Sequence, residues 1–232
     1  MSPIVVKLGG SLAKAGTLSG WLDGLCNAEV PLVIVPGGGA FADAVRAAQA
    51  KHGFDDLTAH RMALLAMHQM GLMLAALRPA RLVTAETLPE ITQALDAGRL
   101  PVWLPGPLAG AATDIAADWS LTSDGLAAWL AAMLGARAVW LVKSVRVGAC
   151  PGATGESPGP ATRSLADLAT AGIVDPEFAR IVTERRLAWR ILGPGEETTS
   201  ALFHRAPTAE DAPAPWAIDA CRNSGLRPGF DE

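Results

Sequence analysis

Short runs of apolar residues, each closed by a glycine turn or followed by a helical pattern, constrain this chain more than any other feature. The runs 4–8, 32–35, 81–84, 101–104 and 138–142 are four or five residues long and apolar almost throughout. Strands that read this way are covered on both faces, which is the condition of a parallel sheet flanked by helices. Weaker runs follow at 187–192 and 201–204. The helical patterns between them are clear. "GAFADAVRAAQAKHG" spaces Phe41, Val45 and Ala48 along one face, with Gly53 as a stop. Residues 57–77 are rich in Leu and Met, and "SLTSDGLAAWLAAMLG" offers Thr122, Ser123 and Asp124 as N-cap candidates before a stop at Gly135. The fold class expected is α/β, with a mainly parallel central sheet.

The first run, "IVVKLGGSL", ends on a lysine and two glycines. Lys7 sits near the close of an otherwise apolar strand and is followed by Gly9, Gly10 and Ser11. The second run ends in "VIVPGGGAFADAVR", so Gly37, Gly38 and Gly39 open a helix. The third polar turn, "DWSLTSDG", opens another. In a parallel sheet the C-terminal ends of all strands lie on one rim, where ligands bind. Consecutive glycines leave backbone N–H groups uncovered, and a helix N-terminus adds partial positive charge. Two such turns and a lysine on one rim point to phosphate. The chain has neither the G-x-x-x-x-G-K-[ST] nor the G-x-G-x-x-G pattern, so it is read neither as a P-loop protein nor as a dinucleotide binder.

Composition narrows the rest. The formal net charge is −4 and charged residues are 18 % of the 232, so no basic field suggests nucleic acid. Cys26, Cys150 and Cys221 form no Cys-x-x-Cys pair, and an odd number argues against a disulfide framework. His52, His60, His68 and His204 are scattered, and no metal site is expected. Asp43 and Arg46, one helical turn apart, read as a surface pair. Asp114 and Asp118 fit either a substrate amine or solvent. Trp119, Trp129 and Trp140 read as core. No apolar stretch reaches the roughly 20 residues of a membrane span, and no secretory leader opens the chain, so the cytoplasm is the expected compartment. The Gly/Pro-rich segment 147–162 reads as a loop and the stretch from Ala206 onward as loosely packed. The Met-rich segment 57–77 is expected to serve as core filler and as part of a homo-oligomer interface, in a dimer or larger assembly.

The motifs "VVKLGGSL", "VIVPGGGAFADAVR" and "SLTSDGLAAWLA" before "AVWLVKS" resemble the amino-acid kinase family, which includes aspartate, acetylglutamate, uridylate and isopentenyl phosphate kinases. The resemblance spans residues 3–144. It implies one domain over residues 1–232, an open α/β/α sandwich of about eight strands. Residues 1–135 would bind the acceptor and residues 136–232 ATP with Mg²⁺. Carried over by motif, Lys7 would bridge the transferring phosphoryl group and Asp124 would orient it. Gly9, Gly10 and Ser11 would cover the β- and γ-phosphates. Gly37, Gly38, Gly39, Thr122 and Ser123 would lie near a small acceptor. "WSLTSD" and the short chain look similar to a branch that phosphorylates aminomethylfuran-methyl phosphate in methanofuran-type cofactor synthesis.

The chain departs from the family twice. The turn after "AVWLV" reads Lys143-Ser144-Val145-Arg146 where many members carry a nucleotide-contacting aspartate. No lysine follows Lys143, although the family often supplies a second phosphate lysine from its C-terminal half. Lys143 is the candidate replacement, with Arg146, Arg163 or Arg185 as alternatives. A nucleotide- or anion-binding or storage protein without catalysis is the rival reading.

Overall fold

β1 (Ile4–Leu8) lies inside the sheet and pairs in parallel with strands on both sides. The computed structural model describes residues 2–144 and 165–196. After β1 come α1 (Ser11–Lys14), α2 (Leu18–Cys26), β2 (Leu32–Pro36), α3 (Gly39–His52), α4 (Asp56–Leu77), β3 (Leu82–Ala85) and α5 (Leu88–Asp96). They are followed by β4 (Leu100–Trp103), α6 (Gly106–Gly110), α7 (Ser123–Met133), β5 (Ala138–Val142), α8 (Leu165–Thr170), α9 (Pro176–Arg185) and β6 (Trp189–Leu192). The six described strands are ordered β3-β4-β2-β1-β5-β6, and every pairing is parallel. The expected parallel α/β sheet is therefore present, with six strands among the described residues rather than about eight. The expected run 201–204, the loop 147–162 and the stretch from Ala206 lie outside them.

The alternation of β1 divides the core. Ile4, Val6 and Leu8 face a layer containing Trp21, Leu22 and Leu25 of α2. Val5 faces the opposite layer, with Leu126, Leu130 and Phe178 of α7 and α9. A two-residue period places Lys7 on the same face as Val5, under α7. The same period runs through Val139 and Leu141 of β5, which share that layer, so Lys143 leaves its strand toward α7 as well. Lys7 stands opposite Leu141 in the ladder. Helix α7 is buried all along Asp124–Ala131, as expected of a helix wedged between a sheet and another helix.

Several boundaries move slightly from the sequence expectation. β3 and β4 shift by one residue, and the 187–192 run shortens to β6. Gly53 ends α3 in the left-handed conformation, φ +71°, which a Cβ-bearing residue adopts at a cost. Met67 and Met70 are core, while Met62 and Met73 are half-buried. The outer face of α4 leaves Leu65 and Leu72 exposed.

Candidate active site

One carboxylate holds two lysines at the C-terminal rim of the sheet. Oδ1 of Asp124 lies 2.8 Å from Lys7 Nζ, and Oδ2 accepts a 2.5 Å bond from Lys143 Nζ. Lys7 and Asp124 are buried, and the Lys143 side chain is only 15 % exposed. Burial works against ionisation of Asp124, but the two ammoniums outweigh it and hold the carboxyl below the usual carboxylate range. Burial, reinforced by the charge of Lys7, pushes the Lys143 ammonium downward, with Asp124 opposing. The ammoniums outnumber the single carboxylate they touch, an arrangement suited to receiving further negative charge.

The glycine turns stand over this cluster. A Cβ on Gly9 would lie 3.6 Å from both Lys7 Nζ and Ser11 Oγ. A Cβ on Gly10 would fall 2.2 Å from the backbone of Gly39, so the two turns meet with no room for any side chain. The uncovered amides expected of these turns are only partly available. Gly9 N–H donates to the Val142 carbonyl at 3.2 Å, and Gly37 N–H to the Leu8 carbonyl at 2.8 Å. These two bonds continue the sheet past its strand ends. Gly38 and Gly39 open α3, where the first amides have no intrahelical acceptor.

A cleft of about 320 Å³ opens beside the turns. Gly10, Ser11, Gly37, Gly38, Gly39, Thr122 and Ser123 all line it, so the sequence candidates from three distant segments meet. Lys7, Asp124 and Lys143 form a separate buried group next to that lining. Around the mouth stand Lys14, Asp43 and Arg46, linked by ion pairs of 2.7 Å (Lys14–Asp43) and 3.8 Å (Arg46–Asp43). The Asp43–Arg46 surface pair is therefore present, and it belongs to the cleft wall.

Trp119, expected in the core, is a cleft residue instead. Arg46 stacks 4.2 Å over its ring, and its indole N–H donates to Gln49 Oε1 at 2.6 Å. The residue follows a loop, so no helical or strand period could have assigned its side. Trp129 and Trp140 are core. His60 is buried and lines the cleft, its imidazole held below its ordinary titration by burial, with Asp118 opposing. Asp114 accepts from the Trp129 indole at 3.1 Å, and Asp118 from Ser120 N–H at 2.7 Å; neither lines the cleft. Arg185 lines another crevice, of about 180 Å³, with Asp114. Arg146 and Arg163 lie outside the described residues.

Sequence reasoning missed Asp175. Its buried carboxylate accepts four bonds: from Thr122 N–H (2.9 Å), Thr122 Oγ1 (2.6 Å), Gly125 N–H (2.9 Å) and Phe178 N–H (2.6 Å). Thr122 is the N-cap of α7, but its side chain makes no cap bond there. Its hydroxyl proton goes to Asp175, so toward a ligand it presents an acceptor only. The sole local signal was "VDPEF", an aspartate before a proline at a helix start.

Known proteins resemble this chain in sequence and fold. The family model of the amino acid kinase family matches residues 2–146. A [5-(aminomethyl)furan-3-yl]methyl phosphate kinase of Methanocaldococcus jannaschii is 28 % identical over 144 residues, which are 61 % of this chain and 65 % of that protein. The match thus spans just under two-thirds of that relative's length. A UMP kinase structure from Ureaplasma parvum superposes with a TM-score of 0.60 at 14 % identity, covering 84 % of this chain and 90 % of the other. A uridylate kinase structure from Archaeoglobus fulgidus gives 0.58 at 15 % identity, covering 88 % and 95 %. At such identities the structures speak for the fold, and the family match, which covers more than half of the chain and holds Lys7, the glycine turns, Asp124 and Lys143, shows that this protein belongs to the amino acid kinase family.

Proposed function

We propose that this protein transfers the γ-phosphoryl group of ATP to a small acceptor bearing a phosphate or carboxylate. The observation that carries the reading is the Lys7–Asp124–Lys143 cluster beneath two abutting glycine turns. Phosphoryl transfer depends on position and charge stabilisation more than on covalent help. Lys7 neutralises charge on the transferred group, and Asp124 holds it there. Lys143 approaches the same place from the nucleotide side, replacing the lysine that follows later in relatives. Gly9, Gly10 and Ser11 shape the ground above the β- and γ-phosphates. Gly38 and Gly39 direct the N-terminus of α3 at the acceptor. An anionic acceptor attacks phosphorus without a general base.

The residues fit a nucleotide phosphate chain, because Lys7 and Lys143 bring two ammoniums to the single carboxylate of Asp124 beside the glycine turns. Among the described residues no three His, Cys, Asp or Glu side chains form a metal-binding group, and Asp124 is engaged by two ammoniums. Mg²⁺, which adds neutralising charge, would therefore be held by phosphate oxygens and water.

The finer reading of the acceptor is [5-(aminomethyl)furan-3-yl]methyl phosphate or a close analogue. The named relative supports it, as does a cleft that combines Lys14 and Arg46 with the flat Trp119 and the apolar Leu64, Met67 and Leu126. Isopentenyl phosphate, acetylglutamate and uridylate are the competing acceptors. The enzyme is taken to act in the cytoplasm, and among the described residues no helix is long and apolar enough to cross a membrane. Leu65 and Leu72 on α4 support a homo-oligomer. A screen of these acceptors with ATP and Mg²⁺, reading ADP release, tests the proposal; no acceptor-dependent release from folded protein would overturn it. The altered turn Lys143-Ser144-Val145-Arg146 favours one second reading, an anion- or nucleotide-binding protein without turnover, which that result combined with retained ATP binding would establish.

A further inference from the structure

Asp175 does more than a helix cap requires. Capping α9 takes one bond, from Phe178 N–H to Oδ1. The other oxygen, Oδ2, accepts from Thr122 N–H, Thr122 Oγ1 and Gly125 N–H. Thr122 is the N-cap of α7 and Gly125 its third residue, so Asp175 satisfies α7 from outside, where Thr122 supplies no cap bond of its own. One carboxylate thus caps two helices. Between those donors lie Ser123 and Asp124. The fit is close: a Cβ on Gly125 would lie 2.8 Å from Asp175 Oδ1, 2.5 Å from Leu121 Cδ1 and 3.2 Å from Glu177 Cβ. The glycine after Asp124 therefore serves the docking of α9 against the turn that carries Asp124.

We propose that Asp175 is the positioning residue of the charge cluster: by capping α7 from the α9 side it fixes the direction of the Asp124 carboxylate that holds Lys7 and Lys143. The charges that act on Lys143 are Lys7 from β1, Asp124 from α7 and, more weakly, Asp175 from the start of α9. On the β6 side Arg190 and Glu196 stand 3.8 Å apart and pair with each other. Asp175 is the second negative charge acting on Lys143. Only the kinetic consequence of this inference rests on the kinase reading.

The chain has four lysines, Lys7, Lys14, Lys51 and Lys143, so lysine labelled with ¹³C at the ε-carbon gives four resonances, of which Lys143→Arg assigns the Lys143 signal and Lys7→Arg the Lys7 signal. Asp175→Ser keeps an oxygen for Phe178 N–H and removes both the charge and the three-donor clamp. In the folded variant the Lys143 titration should move to lower pH, and the Lys7 resonance should move. In acceptor-dependent ADP release kcat should drop roughly 10²-fold, with the acceptor KM unchanged and the alkaline limb of the kcat profile displaced to lower pH. The NMR measurement needs no ligand, so a wild type without turnover would defeat the kinase reading and leave this one standing. Unchanged lysine titrations in folded Asp175→Ser would reduce Asp175 to a cap. If that variant does not fold, Asp175→Asn takes its place, and failure of both to fold would also overturn the proposal by making Asp175 a residue of the fold alone.

Discussion

Lys143 sets its ammonium 2.5 Å from Oδ2 of Asp124, 19 residues away in the chain. The other oxygen of that carboxylate is taken by Lys7. β1 and β5 are neighbours in parallel register, and both lysines leave their strands on the face that α7 covers. The departure at the end of β5 thus supplies a second lysine to the same carboxylate.

Lys7→Ala should fold and lose phosphoryl transfer by roughly 10²–10³-fold, the usual loss on removing one preorganised charge contact. Asp124 keeps Lys143 as a partner, so the buried carboxylate is not stranded. ADP release with a responsive acceptor, alongside a thermal melt, checks both halves; wild-type turnover in folded protein would contradict the role.

Lys143→Ala should weaken binding of ATP or its non-hydrolysable imido analogue about tenfold, about 1.4 kcal/mol, and leave acceptor binding nearly unchanged. Calorimetry on the two proteins decides the matter. Equal affinities would move the phosphate contact to another cation.

Asp124→Asn leaves two buried ammoniums without their carboxylate and should cost roughly 3–5 kcal/mol. The carboxyl titrates lower in the fold than its ordinary value of 3.8. Its contribution is therefore complete above that value and is lost as pH falls through the folded one. Asp175 acts with the opposite sign, raised by burial and further by the Asp124 charge, so Asp124→Asn relieves only the second part of that rise. Urea unfolding of both from pH 7 to about 3 should show the gap narrowing only at the acid end; a gap independent of pH would contradict the linkage.

Gly10→Ala should disrupt nucleotide binding and lower stability together. Its Cβ would meet the Gly39 backbone at 2.2 Å, and backbone cannot yield as a flexible side chain can, so the two turns must separate. Gly125→Ala should destabilise by about 1–3 kcal/mol through overpacking, although alanine ordinarily favours a helix. Thermal melts and calorimetry with the imido analogue separate the two; a stabilised Gly125→Ala would mean that α9 does not pack this closely.

Replacing Leu65 and Leu72 together by Glu should convert an oligomer to monomer, since both stand exposed on the outer face of α4. Sedimentation at micromolar concentration reads the change. A wild type that already sediments as a monomer would contradict the oligomer.

Much of this protein was determined by sequence with short memory. Five apolar runs announced a parallel sheet, and Lys7 followed by glycines announced an anion site, because strand period and glycine geometry act over only a few residues. Tertiary structure decided the rest. Trp119 joined the cleft because a loop, with no period to read, delivered it there. Asp175 lies 50 residues beyond Gly125, and its place just before the proline that opens α9 spoke only of capping. That it also holds α7 depends on how α9 packs, and that Lys143 meets the carboxylate of Lys7 depends on β5 lying beside β1. Strand order and helix docking are settled by burial of the whole apolar surface, a sum over the chain that no local pattern contains.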